Sequence, residues 1–291
     1  MAPSGIECPR TLRLINLPPM SGFSHMALDH ALLLCARKGG FVPVLRFQSW
    51  EPPAVSLGRF QDIAELDLEE CAARGIDVVR RPTGGKALLH LDDFTYSVIL
   101  PPTYPLPPDL PGCFRRISGG ISRALEKMGL HATIGEEPGS AYRKRAACFA
   151  SANAADLKVN GRKICGSAQL RRKGAVLQHG TIYLRDRSAL FHRLLRQGPG
   201  EKVDEALREL SRSHITLEES LGRMPSRREL ELAFIEGFQE ELELEVTDSE
   251  LTPAEQDVWK KMEILYRSPE WMLNRERRME PELEETTFTW A

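Results

Sequence analysis

The 291-residue sequence contains no run of the roughly 18 consecutive apolar residues that would cross a bilayer, and Met1 to Leu14 lacks the basic segment and long apolar core of a secretory signal. The expectation is a soluble, cytoplasmic protein without membrane partners. The six cysteines include no C-x-x-C pair and no Cys/His spacing suited to zinc. That excludes a recognisable metal site or disulfide framework and leaves reduced thiols, most of them small core residues. An excess of either charge is also missing: 39 Lys+Arg face 41 Asp+Glu, for a net charge of −2. With 42% hydrophobic residues, the balance rules out a disordered chain and a uniformly basic nucleic-acid binder. No internal repeat is visible.

What is present is a strong separation of charge. Ser140 to Ala175 holds nine basic residues against Asp156 alone, a local charge of +8. Glu229 to Asp257 holds eleven acids and no Lys or Arg. Either stretch could be a solvated charged surface; the basic one could also steer an acidic partner into a site. Aromatic residues are not interleaved with these basic residues, which argues against single-stranded nucleic-acid binding.

Periodicity predicts a helix over Ser24–Arg37, with Ser24 as N-cap, Leu28, Leu32 and Cys35 on one face, and Gly39-Gly40 as its end. Strand-type runs follow at Phe41–Phe47, Val55–Phe60, Asp77–Arg81 and Phe94–Leu100. Ile117, Ile121, Leu125 and Met128 mark a second amphipathic helix that Gly129 closes. Asp156 to Leu184 reads as a β-meander, with Asn160-Gly161 a strong hairpin signal and Gly174 a further turn. From Ser188 the pattern is helical, including a capping box at Ser226–Glu229 and runs at Glu229–Leu242 and Pro253–Tyr266. The fold class expected is α+β: a mixed, largely antiparallel sheet flanked by helices, with a helical C-terminal part.

Three segments could carry chemistry. Arg80-Arg81-Pro82-Thr83-Gly84-Gly85, leading to His90, is a basic strand end entering a double-glycine turn. Such a turn lets a backbone approach a ligand and aims N–H groups at an anion, although Gly-Gly is commonly just a turn. In the Asn160–Gln169 hairpin, alternation places Lys163 and Cys165 on one face and Arg162 and Ile164 on the other. There Lys163 is either a cation delivered to a semi-buried site or an exposed edge-strand lysine. Cys148 follows Arg143-Lys144-Arg145 in a small-residue segment, where nearby cations favour a reactive thiolate. That setting favours Cys148 over Cys165, which reads as a packed thiol beside Ile164. His179 could relay a proton, but a lone strand histidine is commonly a hydrogen-bonded structural residue.

Taken together, Arg80-Arg-Pro-Thr-Gly-Gly, Asn160-Gly-Arg-Lys-Ile-Cys-Gly-Ser-Ala-Gln169, Leu177-Gln-His-Gly-Thr-Ile182, Met26-Ala-Leu-Asp-His-Ala-Leu-Leu33 and Tyr266-Arg-Ser-Pro-Glu-Trp271 resemble the biotin/lipoate protein ligase and octanoyltransferase superfamily. The Cys148-Phe149 pair, fifteen residues before Lys163, resembles its LipM-type octanoyltransferase branch. Two departures stand out: His90-Leu91-Asp92 where Asp usually follows the His directly, and His25 where Asn is usual.

The resemblance implies a ligase-like catalytic domain over residues 12–248 and a helical extension with a polar tail over 249–291. It implies octanoyl transfer from acyl carrier protein, through a Cys148 thioester, to the lipoyl-accepting lysine of the glycine cleavage H protein or another lipoyl-domain protein. Lys163 would lower the Cys148 pKa and stabilise the oxyanion. Arg81, Thr83, Gly84, Gly85, His90, Gly166, Ser167 and His179 would bind substrate. Neither ATP nor a metal would be required. The +8 stretch would become a docking face for acidic carriers and the acidic region the solvated far side. An ATP-dependent lipoate–protein ligase, or an amidotransferase taking octanoyl from the H protein, are the alternatives.

Overall fold

The computed structural model describes residues 9–134, 156–196, 208 and 212–273. Its strands are β1 (Thr11–Leu14), β2 (Val44–Gln48), β3 (Ala54–Leu57), β4 (Asp77–Arg80), β5 (Leu88–His90), β6 (Asp93–Leu100), β7 (Thr133–Ile134), β8 (Leu157–Val159), β9 (Arg162–Arg172), β10 (Ala175–Tyr183) and β11 (Glu245–Asp248). The helices are α1 (Gly22–Ala36), α2 (Leu68–Ala73), α3 (Leu110–Lys127), α4 (Ser188–Leu194), α5 (Leu217–Leu221), α6 (Arg227–Leu242), α7 (Pro253–Tyr266) and α8 (Pro269–Leu273). Among the described residues no helix is long and apolar enough to cross a membrane.

Eight strands form one sheet in the order β11-β1-β2-β6-β10-β9-β8-β7, and β4-β3-β5 form a second. Only the β11-β1-β2 edge of the large sheet pairs in parallel; from β2 to β7 every pairing is antiparallel. The mixed, largely antiparallel sheet read from the sequence is therefore the architecture. Both hairpin turns of the meander form: Asn160 and Gly161 take φ of 51° and 74°, and Lys173 and Gly174 take 48° and 85°, the left-handed pairs of a type I′ connection.

Strands β1, β5, β7 and β11 are additions to the expected set. β11 interrupts the acidic stretch assigned to helix, because Leu244 and Val246 alternate with polar residues at a strand period and β1 offers a free edge, with Thr11 opposite Glu245 and Leu14 opposite Asp248. The N-cap of helix α1 lies three residues earlier than expected, at Ser21, whose side chain accepts from the Ser24 amide. It carries no single apolar stripe, since Met26 through Leu33 are all buried. The helix lies between the two sheets and under α7, so every face meets protein.

Helix α3 packs against α6 on the opposite face of the large sheet. Their approach is close because three glycines lie at the crossing. A Cβ on Gly237 would stand 2.4 Å from the Gly120 carbonyl oxygen, and one on Gly120 would stand 2.3 Å from the Phe238 ring. Around this contact Arg123 reaches Glu241 at 2.6 Å, Lys127 reaches Glu240 at 2.6 Å, and Arg116 reaches Glu243 at 3.0 Å. Much of the acidic stretch thus faces the basic residues of α3 rather than only solvent. The Ser226 cap also differs from a full capping box: its hydroxyl accepts from the Glu229 amide at 3.2 Å, but the Glu229 carboxylate turns to Arg223.

Two histidines of α1 are enclosed in neutral form. His25 sits against Ser49 and Arg46, and burial followed by the Arg46 charge lowers its pKa to about 3. His30 meets the Tyr266 hydroxyl at 3.2 Å, and burial followed by the charge of Arg172 lowers its pKa to about 3.

Gly237→Ala should lower stability by roughly 1–3 kcal/mol, because overpacking against backbone outweighs alanine's helix preference. Gly39→Ala, whose Cβ would meet nothing within 4 Å, should leave the urea midpoint nearly unchanged. Equal effects of the two would argue against the close crossing. For the histidines, the folded pKa lies below the unfolded value of about 6.5. The unfolded chain then binds more protons, and stability falls as pH drops below that value toward 3. Urea titrations at pH 7.5 and 5 should differ by roughly 2 kcal/mol for each of these two histidines, and His30→Gln should remove its own share of the dependence.

Candidate active site

Arg80 and Arg81 shape the loop between β4 and β5. Arg80 donates through Nη1 to the carbonyls of Gly58 at 2.9 Å and Gln61 at 2.7 Å, and through Nε to Met272 at 2.8 Å. Arg81 donates to Ser56 O at 2.8 Å, Gly84 O at 2.9 Å and Lys86 O at 2.7 Å. Arg81 thus fixes the glycine turn, and Arg80 fixes the segment after β3 against which the turn packs. Gly85 has φ of +98°, and a Cβ on Gly58 would collide with the Gly85 carbonyl oxygen at 1.9 Å, which explains the glycines on both sides of the contact.

Between this loop and the large sheet lies a cavity of about 250 Å³. A dry cavity of roughly 150 Å³ is enough for benzene, so this one can hold a medium-length acyl chain. Met26, Trp50, Leu88, Leu110 and Phe114 supply apolar wall, and Arg81, Gly84, Gly85, His90, Gly166, Ser167 and His179 also line it. Of the eight residues expected to bind substrate, only Thr83 is not in the wall itself. It sits immediately behind, with Oγ1 2.7 Å from His179 Nε2.

His179 is the middle of a buried chain. Its Nδ1 lies 3.0 Å from Asp29 Oδ2, so Nδ1–H donates to the carboxylate and Nε2 accepts the Thr83 hydroxyl proton. Asp29 also accepts from Ser97 Oγ at 2.8 Å and Gln48 Nε2 at 3.1 Å, and pairs with Arg46. Burial alone would raise the Asp29 pKa; Arg46 and the bonds from His179 and Ser97 hold it below the usual carboxylate value. The expectation that His179 is a hydrogen-bonded residue is met, and it faces the cavity as well.

His90 stacks on Trp50 with ring centroids 3.7 Å apart. Its Nδ1 donates to Asp93 at 2.7 Å and its Nε2 accepts from Ser56 Oγ at 2.9 Å. Burial is the largest cause lowering its pKa. The acid serving His90 is therefore Asp93. Asp92 occupies the turn with φ of 51° and directs its carboxylate to Arg187. In the departure at His90-Leu91-Asp92, Asp92 does not partner His90.

Cys148, with Phe149 and Arg143 to Arg145, lies outside the described residues. Lys163 is 1% exposed, with Nζ 2.9 Å from Asp156 Oδ2. It stands three residues before Gly166 on β9, about 10 Å of strand from the cavity wall. Of the two sequence alternatives for this lysine, the exposed edge position is excluded. Cys165 is packed in the core with Ile164, as read from its environment, though both faces of β9 are buried here rather than one. Arg162 pairs with Glu219. With Lys163 enclosed against Asp156, the described part of the +8 stretch presents less positive surface than its formal charge.

The outer edge of β9 is covered by β8 only as far as Cys165. Among the described residues no strand covers Gly166 to Gln169, and that edge borders the cavity. Sequence reasoning missed Asp29, Asp93, Trp50 and Ser56. Asp29 had a usable signal: a carboxylate inside Met26-Ala-Leu-Asp-His-Ala-Leu-Leu33 must be buried with the helix and hence paired.

Residues 21–239 match the family model of the lipoyl protein ligase A/B catalytic domain. Octanoyltransferase LipM of Kyrpidia tusciae is 37% identical over 272 residues, covering 90% of this chain and 98% of that protein. Octanoyltransferase LipM of Staphylococcus aureus is 32% identical over 283 residues, covering 91% and 99%. Among solved structures, the bipartite lipoate protein ligase of Thermoplasma acidophilum superposes with a TM-score of 0.78 at 24% identity, over 94% of this chain and 99% of that one, a likeness of fold. The chain belongs to the lipoyl protein ligase A/B catalytic-domain family and, within it, to the LipM-type octanoyltransferases.

Proposed function

We propose that the protein transfers an octanoyl group from acyl carrier protein to the lipoyl-accepting lysine of the glycine cleavage H protein or another lipoyl-domain protein, by way of a Cys148 thioester, in the cytoplasm. The observation that carries this reading is a cysteine fifteen residues before Lys163 in a chain whose Lys163 strand leads directly into an acyl-sized cavity. The Cys148 thiolate attacks the donor's thioester carbonyl and the carrier's thiol leaves, which exchanges one thioester for another. The acceptor lysine's amine then attacks the acyl-enzyme, an amide forms, and the Cys148 sulfur departs with the proton. Thioester exchange is close to neutral and amide formation is downhill, so the proposal needs neither ATP nor a metal.

Lys163 lowers the thiol's pKa and stabilises the oxyanion, together with N–H groups of β9 near Gly166. Burial of the acyl chain against Leu88, Phe114 and Met26 contributes up to about 5 kcal/mol, at roughly 0.8 kcal/mol per CH2. The fixed turn at Gly84-Gly85 and the side chains of Arg81, His90, Ser167 and His179, with Thr83 behind it, form the substrate pocket.

Incubation with octanoyl-carrier protein in the absence of ATP should add one octanoyl mass to the intact protein, and Cys148→Ala should abolish the adduct. Acceptor octanoylation that demands ATP and survives Cys148→Ala would establish the ligase reading instead. Adduct formation from octanoyl-H protein but not from octanoyl-carrier protein would make the enzyme an amidotransferase. Lys163→Ala should move the midpoint of Cys148 alkylation by a small electrophile to higher pH, by about one unit for each 1.4 kcal/mol of thiolate stabilisation lost. An unchanged midpoint would remove the lysine from the mechanism.

A further inference from the structure

Two buried histidines border the cavity, and both are bonded in the same way. His179 gives Nδ1–H to Asp29 and takes the Thr83 hydroxyl proton at Nε2, while His90 gives Nδ1–H to Asp93 and takes the Ser56 hydroxyl proton at Nε2. One difference separates the two chains. Thr83 lies behind the cavity wall, so its hydroxyl ends a structural chain, whereas Ser56 is part of the wall beside His90. A hydroxyl that faces a ligand space and is bonded to an imidazole, itself oriented by a carboxylate, has the connectivity of a serine nucleophile with its base.

Strand register accounts for the arrangement. In the β3–β5 pair Ala54 stands opposite His90 and Ser56 opposite Leu88, so Ser56 and His90 are diagonal neighbours on one face of the small sheet. Asp93 opens β6 three residues after His90, across the turn in which Asp92 takes φ of 51°. Both links are within proton-transfer reach: Asp93 Oδ2 lies 2.7 Å from His90 Nδ1, and Ser56 Oγ lies 2.9 Å from Nε2. Thr95 donates to the same Asp93 oxygen at 2.9 Å and Trp50 stacks on the imidazole, so acid and base are each held from a second side. Burial outweighs the Asp93 carboxylate and lowers the His90 pKa, which leaves the ring unprotonated near neutral pH, as a general base must be. Arg81 Nη1 donates to Ser56 Oγ at 3.2 Å, a fixed cation beside the oxygen on which charge would develop.

We propose that Ser56, His90 and Asp93 form a second acyl-handling centre, a serine hydrolase that releases medium-chain acyl groups from thioesters or esters as free acid. Ser56 is its nucleophile, His90 its general base and Asp93 a positioning residue. The substrate class rests on the octanoyl reading of the cavity, but the serine chemistry does not involve Cys148. Ser56 Oγ bonds to the acyl carbonyl carbon while its proton passes to His90 Nε2, and the bond to the leaving thiol or alcohol breaks as that group takes the proton. Water then attacks the Ser56 ester and gives its proton to Nε2, and Ser56 Oγ leaves with that proton.

The test uses the full chain carrying Cys148→Ala, in which no adduct can form at that thiol. An octyl fluorophosphonate, which phosphonylates activated serines, should add one probe mass, and peptide mapping should place it on Ser56. The same protein should hydrolyse p-nitrophenyl octanoate, and Ser56→Ala in that background should lose both label and turnover. His90→Ala should slow labelling at least about hundredfold. Asp93→Asn should slow it by more than about tenfold, and Asp93→Glu should recover much of the rate. No labelling, a probe mass on a residue other than Ser56, labelling undiminished in Ser56→Ala or Asp93→Asn, or labelling without ester turnover would each overturn the proposal. The peptide map identifies the nucleophile even where a Ser56 variant does not fold. Ser56 labelling and ester turnover alongside an unaltered protein that takes up no octanoyl group from carrier protein would defeat the transferase reading and leave the serine centre standing.

Discussion

A single carboxylate at the centre of the molecule ties the site to the scaffold. Asp29 is completely enclosed on α1, and an enclosed charge is tolerated only where surrounding groups replace water. Arg46 on β2, Ser97 on β6 and His179 on β10 supply those groups, so meeting one charge fixes the helix across three adjacent strands. His179 extends the arrangement to Thr83 in the glycine turn. The loop that closes the cavity is thereby set by the same buried charge that seats the first helix.

A second set of contacts holds the loop from the other side. Trp271 donates to the Arg80 carbonyl at 2.9 Å and lies beneath the Arg59 guanidinium, whose central carbon is 4.5 Å from the ring centroid. Tyr266 packs on Trp271 and meets His30. The segment closing the described chain therefore completes the core around α1 and the base of the glycine turn. Arg81, expected to bind substrate, lines the cavity and also donates to main-chain oxygens of the glycine turn, which fixes the shape of that wall.

Much of this was legible in the sequence where local chemistry is decisive. Asn160-Gly161 and Lys173-Gly174 specify their turns, Pro253–Tyr266 matches its helix, and the linked motifs converge on one cavity. What was not legible depends on neighbours distant in the chain. β11 exists because β1 presents an edge. The all-round burial of α1 arises because two sheets and α7 enclose it. Asp93 rather than Asp92 meets His90 because Asp92 takes the left-handed turn position and directs its carboxylate to Arg187. Lys163 could be placed on a face by alternation, but its enclosure against Asp156 depends on the elements that pack over the hairpin.

Among the described residues no strand covers the outer edge of β9 between Gly166 and Gln169, and this stretch forms one wall of the cavity. Main-chain donors and acceptors keep their positions whichever side chains the strand carries, and Gly180, packed so tightly that a Cβ would lie 2.4 Å from Ser167 Oγ, leaves that wall no room to shift. Variation in the shape of the cavity is thereby left to the side chains of its apolar wall, Met26, Leu88 and Phe114, whose replacement would reshape the space without touching the strand.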